Sequence, residues 1–514
     1  GWNIRFSNQI QSGEYGYPVL FKHFTEEIIP ALVDLGGGSG TGALFMDDPT
    51  WPAKYNHVPM MADWGRNELY IHRLTPDSGS FTQEQEDFIQ LPQITDVDVD
   101  ASGRMYLSAW DGAGYSGDST KGFTVRVVPK DWSYKPYPDL KKSSVSELIT
   151  LMQSESSVAR LYAQQELLTR SKDATDAAWK LADDKSKPTY ARVAGMYAYA
   201  QLAKAGAIKN LLQLATEEDM KAFALRALTD RKPFLKDVPT EPFLNALKDT
   251  SKSVEFAGII GLGRLGRIEA AEALLQIPVP ASFVAPAKGT EGPHATPNAA
   301  IIPPHLAVRA LVALHAVDAC VAAIGTAHST LALWALRYMH DTKAVEGLTA
   351  AYRNTQDAAL KTEILSTLGR LYNEEAPYDG TWWWSTRPDS HGPYYKPINW
   401  AGSDSIKTFL VDVWNKSNPT QKKFFADLNG KLRMGITQFG GNTEEVVKEE
   451  EPKVDLNKIR NKKGQIGESS IEDIMLAMDH IQGNPTDGRR LFLQQGCNTC
   501  HTLGKSEVMK GPFM

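Results

Sequence analysis

Close to the C-terminal end of the 514-residue chain, Cys497-Asn498-Thr499-Cys500-His501 sets two thiols three positions apart with an imidazole directly after the second. Thiolates are nucleophiles and soft metal ligands, and imidazole is the commonest nitrogen ligand. A bare Cys-x-x-Cys pair is compatible with thioredoxin-like exchange, half of a zinc site, or covalent haem attachment. A zinc site needs a second ligand pair at suitable spacing. The third cysteine, Cys320, stands alone in the apolar stretch Ala319-Cys320-Val321-Ala322 and reads as a buried small hydrophobe. A histidine immediately after the second cysteine points to c-type haem. Each thiol adds across one vinyl group, and two intervening residues let both sulfurs reach the same porphyrin edge. His501 is then held under the iron as its proximal ligand.

The elements around the pair must aim it. Asn484-Pro485 predicts an N-cap with proline at the first helical position. Gly488, Leu491 and Phe492 share one face of the helix that follows, and Gly496 ends it just before the cysteines. A short amphipathic helix, Ile471 to Ile481, leads in. These residues resemble the N-terminal helix of class I cytochromes c, where a glycine and an aromatic four residues later precede the haem box. The resemblance extends to Gly511-Pro512 and implies that the Pro512 carbonyl orients His501. It also implies an axial methionine well downstream of the box, which neither Met509 nor Met514 matches. With a domain of roughly eighty residues expected, residues 471–514 read as its beginning, and the chain as truncated within it.

Composition bounds the rest. The chain has 42% hydrophobic and 23% charged residues, an ordinary soluble balance for several domains. A net charge of -6 argues against a general nucleic-acid binder. No apolar run reaches the length of a membrane span, and three cysteines make no disulfide framework. Gly1 is followed by no charged-then-apolar leader. Because haem c is attached outside the cytoplasm in the cytochrome families, a periplasmic or otherwise exported protein is expected, with its signal absent from this chain.

Residues 1–136 read as β structure. Thr95-Asp96-Val97-Asp98-Val99-Asp100 alternates apolar with acidic residues, turns at Ala101-Ser102-Gly103 and returns through Arg104–Trp110; a third strand follows at Phe123–Val128. Gly42–Phe45, Ala62–Gly65 and Glu68–Ile71 form a similar earlier unit. Short meandering strands with recurrent Trp and Gly suggest the C-terminal blades of an incomplete β-propeller, a small sandwich being the alternative. Asp98-x-Asp100-x-Ser102-Gly103 imitates the start of a calcium loop, but its twelfth position is Ala109, and the aspartates fit the wet face of a strand.

From residue 143 to 372 the period turns helical. Val158-Ala159-Arg160, Ala191-Arg192-Val193, Ala224-Leu225-Arg226 and Val308-Arg309-Ala310 recur in similar apolar segments, and Leu262-Gly263-Arg264-Leu265 returns as Leu368-Gly369-Arg370-Leu371. Helix pairs at a period on the order of 30 to 40 residues predict an α-solenoid of the HEAT kind, its arginines bonding to adjacent repeats. A Pro/Gly/Ala-rich loop interrupts it at 278–304, where His294 and His305 are expected to face solvent. Residues 373–442 combine an aromatic-rich stretch, including Trp382-Trp383-Trp384, with a helical extension carrying Ile406, Leu410, Val413 and Trp414. The aromatic stretch reads as a loop anchored by its own rings, or as a stacking platform. Residues 443–470, with Lys448-Glu449-Glu450-Glu451, read as a solvated linker.

The order of these parts resembles a bacterial exported family that joins a quinoprotein sugar-dehydrogenase-like propeller, HEAT repeats and a C-terminal cytochrome c domain. The resemblance rests on Ala62-Asp63-Trp64-Gly65-Arg66, Ile94-Thr95-Asp96-Val97-Asp98, Trp384-Ser385-Thr386-Arg387-Pro388-Asp389 with Gly392-Pro393-Tyr394-Tyr395, and the haem box. It implies haem c on Cys497 and Cys500, iron on His501, and pyrroloquinoline quinone with calcium in the intact propeller. It further implies oxidation of a sugar or other alcohol, with electrons passed to an acceptor protein or cytochrome. No catalytic role transfers onto His23, His57 or His72. The expected fold class is multidomain α+β: partial blades, then a HEAT-like solenoid, then the start of a helical haem domain. A haem-bearing scaffold without catalysis is the alternative.

Overall fold

The computed structural model describes residues 2–15, 27–112, 118, 120–170, 172–280, 297–377, 397–440, 469–478 and 483–494. The chain is α+β, with small antiparallel sheets followed by many helices, and divides into two units, Gly1–Glu451 and Pro452–Met514.

In the first unit, β1 (Trp2–Phe6) pairs antiparallel with β2 (Val33–Gly38). β3 (Gly40–Met46), β4 (Val58–Asp63), β5 (Glu68–Asp77) and β6 (Ser80–Gln90) form a four-stranded meander, and β7 (Ile94–Val99), β8 (Met105–Trp110) and β9 (Gly122–Val127) a three-stranded one. The alternation in β7 works as a half-buried strand should: Val97 and Val99 are buried while Asp96 and Asp98 are exposed. A bulge between Ile94 and Asp96 lets Ile94 face inward as well.

The middle sheet is covered on both faces. On one, Met60, Ala62, Leu69 and Ile71 meet Ile94, Val97, Met105 and Leu107 of the next sheet. On the other, His72 is fully buried, with its ring stacked 4.0 Å from Phe6 of β1. The first strands of the two meanders also touch. Thr41 Oγ1 donates to the Ile94 carbonyl at 2.8 Å, and a Cβ at Gly42 would lie 2.5 Å from Val97 N, so only glycine permits that approach. Among the described residues the sheets close into neither a barrel nor a ring.

The turn from β7 to β8 is built by Asp100. Its Oδ1 accepts from Ser102 N, Ser102 Oγ and Arg104 N, and its Oδ2 from Arg104 Nε at 2.7 Å. Burial pushes its pKa up, but these bonds outweigh it and hold the carboxyl below its ordinary value. Gly103 sits at φ +80°, its carbonyl accepts from Trp51 Nε1 at 2.8 Å, and an added Cβ would collide with Thr50 Oγ1. Gly103→Ala should therefore cost about 2–3 kcal/mol, from backbone strain plus overpacking, read as a lower urea midpoint with unchanged slope.

Helices follow in pairs: Val145–Leu151 with Ser157–Leu167, Lys172–Asp183 with Thr189–Ala203, Ile208–Leu214 with Lys221–Thr229, and Glu241–Ala246 with Lys252–Leu265. Then come Ala271–Leu275 with Ile302–Ala313, Val317–Ala322 with Ser329–Leu336, Thr342–Asn354 with Ala358–Leu371, and Ser403–Asn415 with Pro419–Lys431. In every pair the second helix packs on the second helix of the next. The first four such helices start at 157, 189, 221 and 252, a period of about 32 residues. One continuous core runs from Leu148 to Phe439. Arg192, 2% exposed, donates to the Ala182 carbonyl, Glu217 and Asp219, fastening its own pair to the turn between the helices of the next. Asp47 joins sheets to helices: its carboxylate meets His57 at 2.7 Å and Arg160 at 2.9 Å, and its carbonyl accepts from Ser157 N.

One expectation is corrected. His305 does not face solvent; it is 2% exposed. The Pro303-Pro304 dipeptide opens the helix Ile302–Ala313 rather than extending the loop, since proline suits the first helical turn, and His305 then falls on that helix's inner side. His294, the Trp382–Trp384 stretch and the charged run 448–451 lie outside the described residues.

In the second unit the described elements are the helices Ile471–Met478 and Pro485–Gln494.

Candidate functional site

Cys497, Cys500, His501 and Pro512 lie outside the described residues. The helix that leads to them does not. Asn484 caps it as expected, with Oδ1 accepting from Thr486 N at 2.9 Å and Asp487 N at 3.3 Å, while the Asn484 carbonyl takes the Gly488 amide at 2.8 Å. Pro485 occupies the first helical position, where its missing N–H costs nothing. The helix runs to Gln494, three residues before Cys497. A Cβ built on Gly488 would meet nothing within 4 Å, and Leu491 is 46% exposed, so this face presents bare backbone beside an apolar side chain. Phe492 is buried. Two thiols and an imidazole are a donor set whose chemistry suits haem c.

The segments that carried the β-region resemblance have structural partners. Asp63 is fully buried, and its Oδ1 accepts from Ser39 N at 3.0 Å, Gly65 N at 2.9 Å and Arg66 N at 3.2 Å. Its Oδ2 pairs with Arg66 Nη1 at 2.5 Å, and Arg66 also donates to the Leu35 carbonyl of β2. Trp64 meets Trp110 edge to face at 6.3 Å. Asp63 and Arg66 thus pin the β4–β5 hairpin to its neighbours. His57 is exposed and paired with Asp47, and His72 Nδ1 donates to Gln83 Oε1 at 2.7 Å; burial lowers the His72 pKa. His23 lies outside the described residues. Among the described residues no three His, Cys, Asp or Glu side chains converge to hold a metal ion. Cys320 is a free, buried thiol whose pKa burial pushes up to about 12, as an inert core residue requires.

Sequence reasoning missed a buried charged cluster. Glu27, 4% exposed, receives Arg370 Nη2 at 2.9 Å, Arg337 Nη1 at 3.2 Å and the Tyr338 hydroxyl at 2.7 Å. Burial by itself would raise the Glu27 pKa; Arg370 and then Arg337 outweigh it and hold the carboxyl below the usual range. Burial first, and Glu27 second, push the Tyr338 hydroxyl well above its ordinary value. The cluster forms one wall of a cleft of about 330 Å³ lined also by Phe424, Leu428 and Lys431. Nearby, His305 Nε2 accepts the Glu14 amide at 2.9 Å, and the ring meets Trp334 edge to face. The available signal was an acid, Glu27, set against the apolar run Ile28-Ile29-Pro30-Ala31-Leu32. Arg370 belonged to a recognised repeat, but its partner lies in the N-terminal segment rather than an adjacent helix pair.

No protein-family model matches the chain, and no curated protein matches it. Among solved structures, an engineered protein aligns with 56% of this chain and 75% of its own at 14% identity and a TM-score of 0.27. The complex of CpcE and CpcF of phycocyanin lyase from Nostoc sp. PCC7120 aligns with 60% of this chain and 100% of its own, at 16% identity and a TM-score of 0.19. Similarity this slight carries no argument about fold or function.

Proposed function

We propose that this chain is a haem c-binding electron-transfer protein, with Cys497 and Cys500 as the covalent attachment points, His501 as the iron ligand and Pro512 supporting it. The observation that carries the proposal is the Cys-x-x-Cys-His spacing directly after a capped helix. When bound, the haem supplies a one-electron couple; the protein's contribution is to hold the iron by His501 and orient that ring. We further propose that it serves an exported, quinoprotein-like dehydrogenase that oxidises a sugar or other alcohol with pyrroloquinoline quinone and calcium. Electrons would leave to an acceptor protein. In this reading the stacked meanders are propeller blades, since a sheet covered on both faces with adjoining first strands is how blades pack. The paired helices are HEAT-like repeats.

A specific observation favours the second reading, a haem-bearing scaffold. Asp63, Asp100 and His72, the acids and imidazole best placed in the sheets, are all engaged in structural bonds. One experiment separates the haem and zinc readings. The intact, extended protein expressed in the periplasm with a haem-c maturation system should carry one covalent haem. Stoichiometric zinc on the same cysteines, without haem, would overturn the proposal.

A further inference from the structure

We propose that the groove between the helices Lys221–Thr229 and Lys252–Leu265 is a binding site for a short apolar peptide with free ends, its ammonium at Glu218 and its carboxylate at Arg226. The groove encloses about 460 Å³, within the range of pockets that hold small ligands. Three stretches distant in sequence build it: the two helices, the tip of the β5–β6 hairpin at Gly79 and Phe81, and residues 8–11. Gly79, at φ +84°, lets that tip press on the second helix, where an added Cβ would lie 2.6 Å from Lys252 Cβ and 2.8 Å from the Phe256 ring. The floor is apolar. Val254, Phe256 and Ala257 are buried, and Ala222 on the first helix is small enough to leave the space open. Phe223 stands 39% exposed at the rim, a large ring that the helix core does not take up.

The charges at the mouth decide the ligand. Asp219 is already bound to Arg192 at 3.0 Å, and Asp230, one turn beyond Arg226, to Arg264 at 3.1 Å. Among the described residues this leaves Glu218 and Arg226 as the charged side chains of the groove with no ion pair or hydrogen bond. Helical hydrogen bonding here starts where the Glu217 carbonyl takes the Lys221 amide at 2.8 Å. Eight positions therefore set the two charges roughly 12 Å apart along the axis. A single amino acid carries its ammonium and carboxylate on one carbon and cannot engage both. An extended tripeptide, at about 3.3–3.6 Å per residue, spans roughly 10–11 Å and reaches both. An apolar ligand of single charge would leave one of the two unmatched. Gln9, Ser251 and Ser253 line the same groove, and among the described residues their side chains make no hydrogen bond. They supply donors and acceptors for the peptide groups of the ligand. The groove lies in the first unit and does not depend on the haem reading.

Isothermal titration of the whole chain with the tripeptide Leu-Phe-Val, its N-acetyl form and its C-terminal amide tests this. The free tripeptide should bind one per chain, and blocking either end should weaken it about fivefold or more. Arg226→Gln should bring the free tripeptide down to the level of its amide on the wild type, and leave the amide unchanged. Glu218→Gln should do the same for the N-acetyl form. Both residues are exposed, so the far-UV circular dichroism of the variants should match wild type. Ser253→Trp fills the mouth from an exposed position and should abolish binding of all three. No binding at millimolar tripeptide, equal affinity for all three forms, or charge variants that weaken free and blocked peptides alike would overturn the assignment. So would phenylpropionate binding as tightly as the tripeptide.

Discussion

Changing Cys497→Ala together with Cys500→Ala will take covalent haem from one per chain to none in protein matured through a haem-c system. A denaturing gel stained for haem and an intact mass will show it. The effect is all or none because no other described or undescribed position offers a second Cys-x-x-Cys pair; the remaining cysteine is Cys320, buried in the helix Val317–Ala322. Each single variant keeps one thiol and so the means to form one thioether, and the single-variant masses will differ from the double variant by the haem. The rival chemistries give different outcomes. A thioredoxin-like pair would show a reversible two-electron disulfide couple and no haem. A zinc half-site would bind metal through the same thiols, with affinity falling as acid protonates them. Either result would end the electron-transfer reading.

Arg370→Met will lower global stability by about 3–5 kcal/mol, because it leaves the Glu27 carboxylate buried with one of its two cations gone. Urea unfolding followed by circular dichroism measures it, with the slope expected to stay near wild type. Much of the loss is the penalty of an uncompensated charge rather than the worth of the pair. Adding Glu27→Gln to Arg370→Met should therefore recover part of it, giving a coupling energy of roughly 0.5–3 kcal/mol between two positions in direct contact. A loss below about 1 kcal/mol in the single variant would mean that the site is as wet as a surface pair.

What the sequence revealed tracks the strength of local pattern. Strand β7 was legible because Val97 and Val99 alternate with aspartates, and the paired helices because alanine, leucine and arginine recur at helical spacing. Strand β6 was not. Ser-Phe-Thr-Gln-Glu-Gln-Glu-Asp-Phe-Ile-Gln carries little apolar alternation, since only Ser80 of it is buried and its order comes from ten residue pairings with β5. The hairpin Ser78-Gly79, both residues at positive φ, was the signal that could have found it. His305 was misplaced because two prolines were read as loop when they begin a helix. The Glu27 cluster was invisible for a different reason. Its members have no shared period, and long-range pairing of single charges leaves no trace in a local window. The start of the helix before the Cys-x-x-Cys-His motif was legible from Asn484 and Pro485 alone; its expected end at Gly496 lies outside the described residues.

The bond between Glu27 and Arg370 spans 343 positions of the chain. At a synthesis rate of roughly 5–20 residues per second, about 20–70 s separate the appearance of the carboxylate from that of the cation that will bury it. Through that interval the apolar residues Ile28, Ile29 and Leu32 are made but their polar anchor is unavailable. Closure of so large a loop comes late and slowly. The helix stack can add pairs one after another as they emerge, but the bond that anchors Glu27 waits for the seventh of them. A nascent chain stalled before residue 370 would therefore hold folded repeats while Ile28, Ile29 and Leu32 stay unsecured, and that is where a chaperone would find its grip.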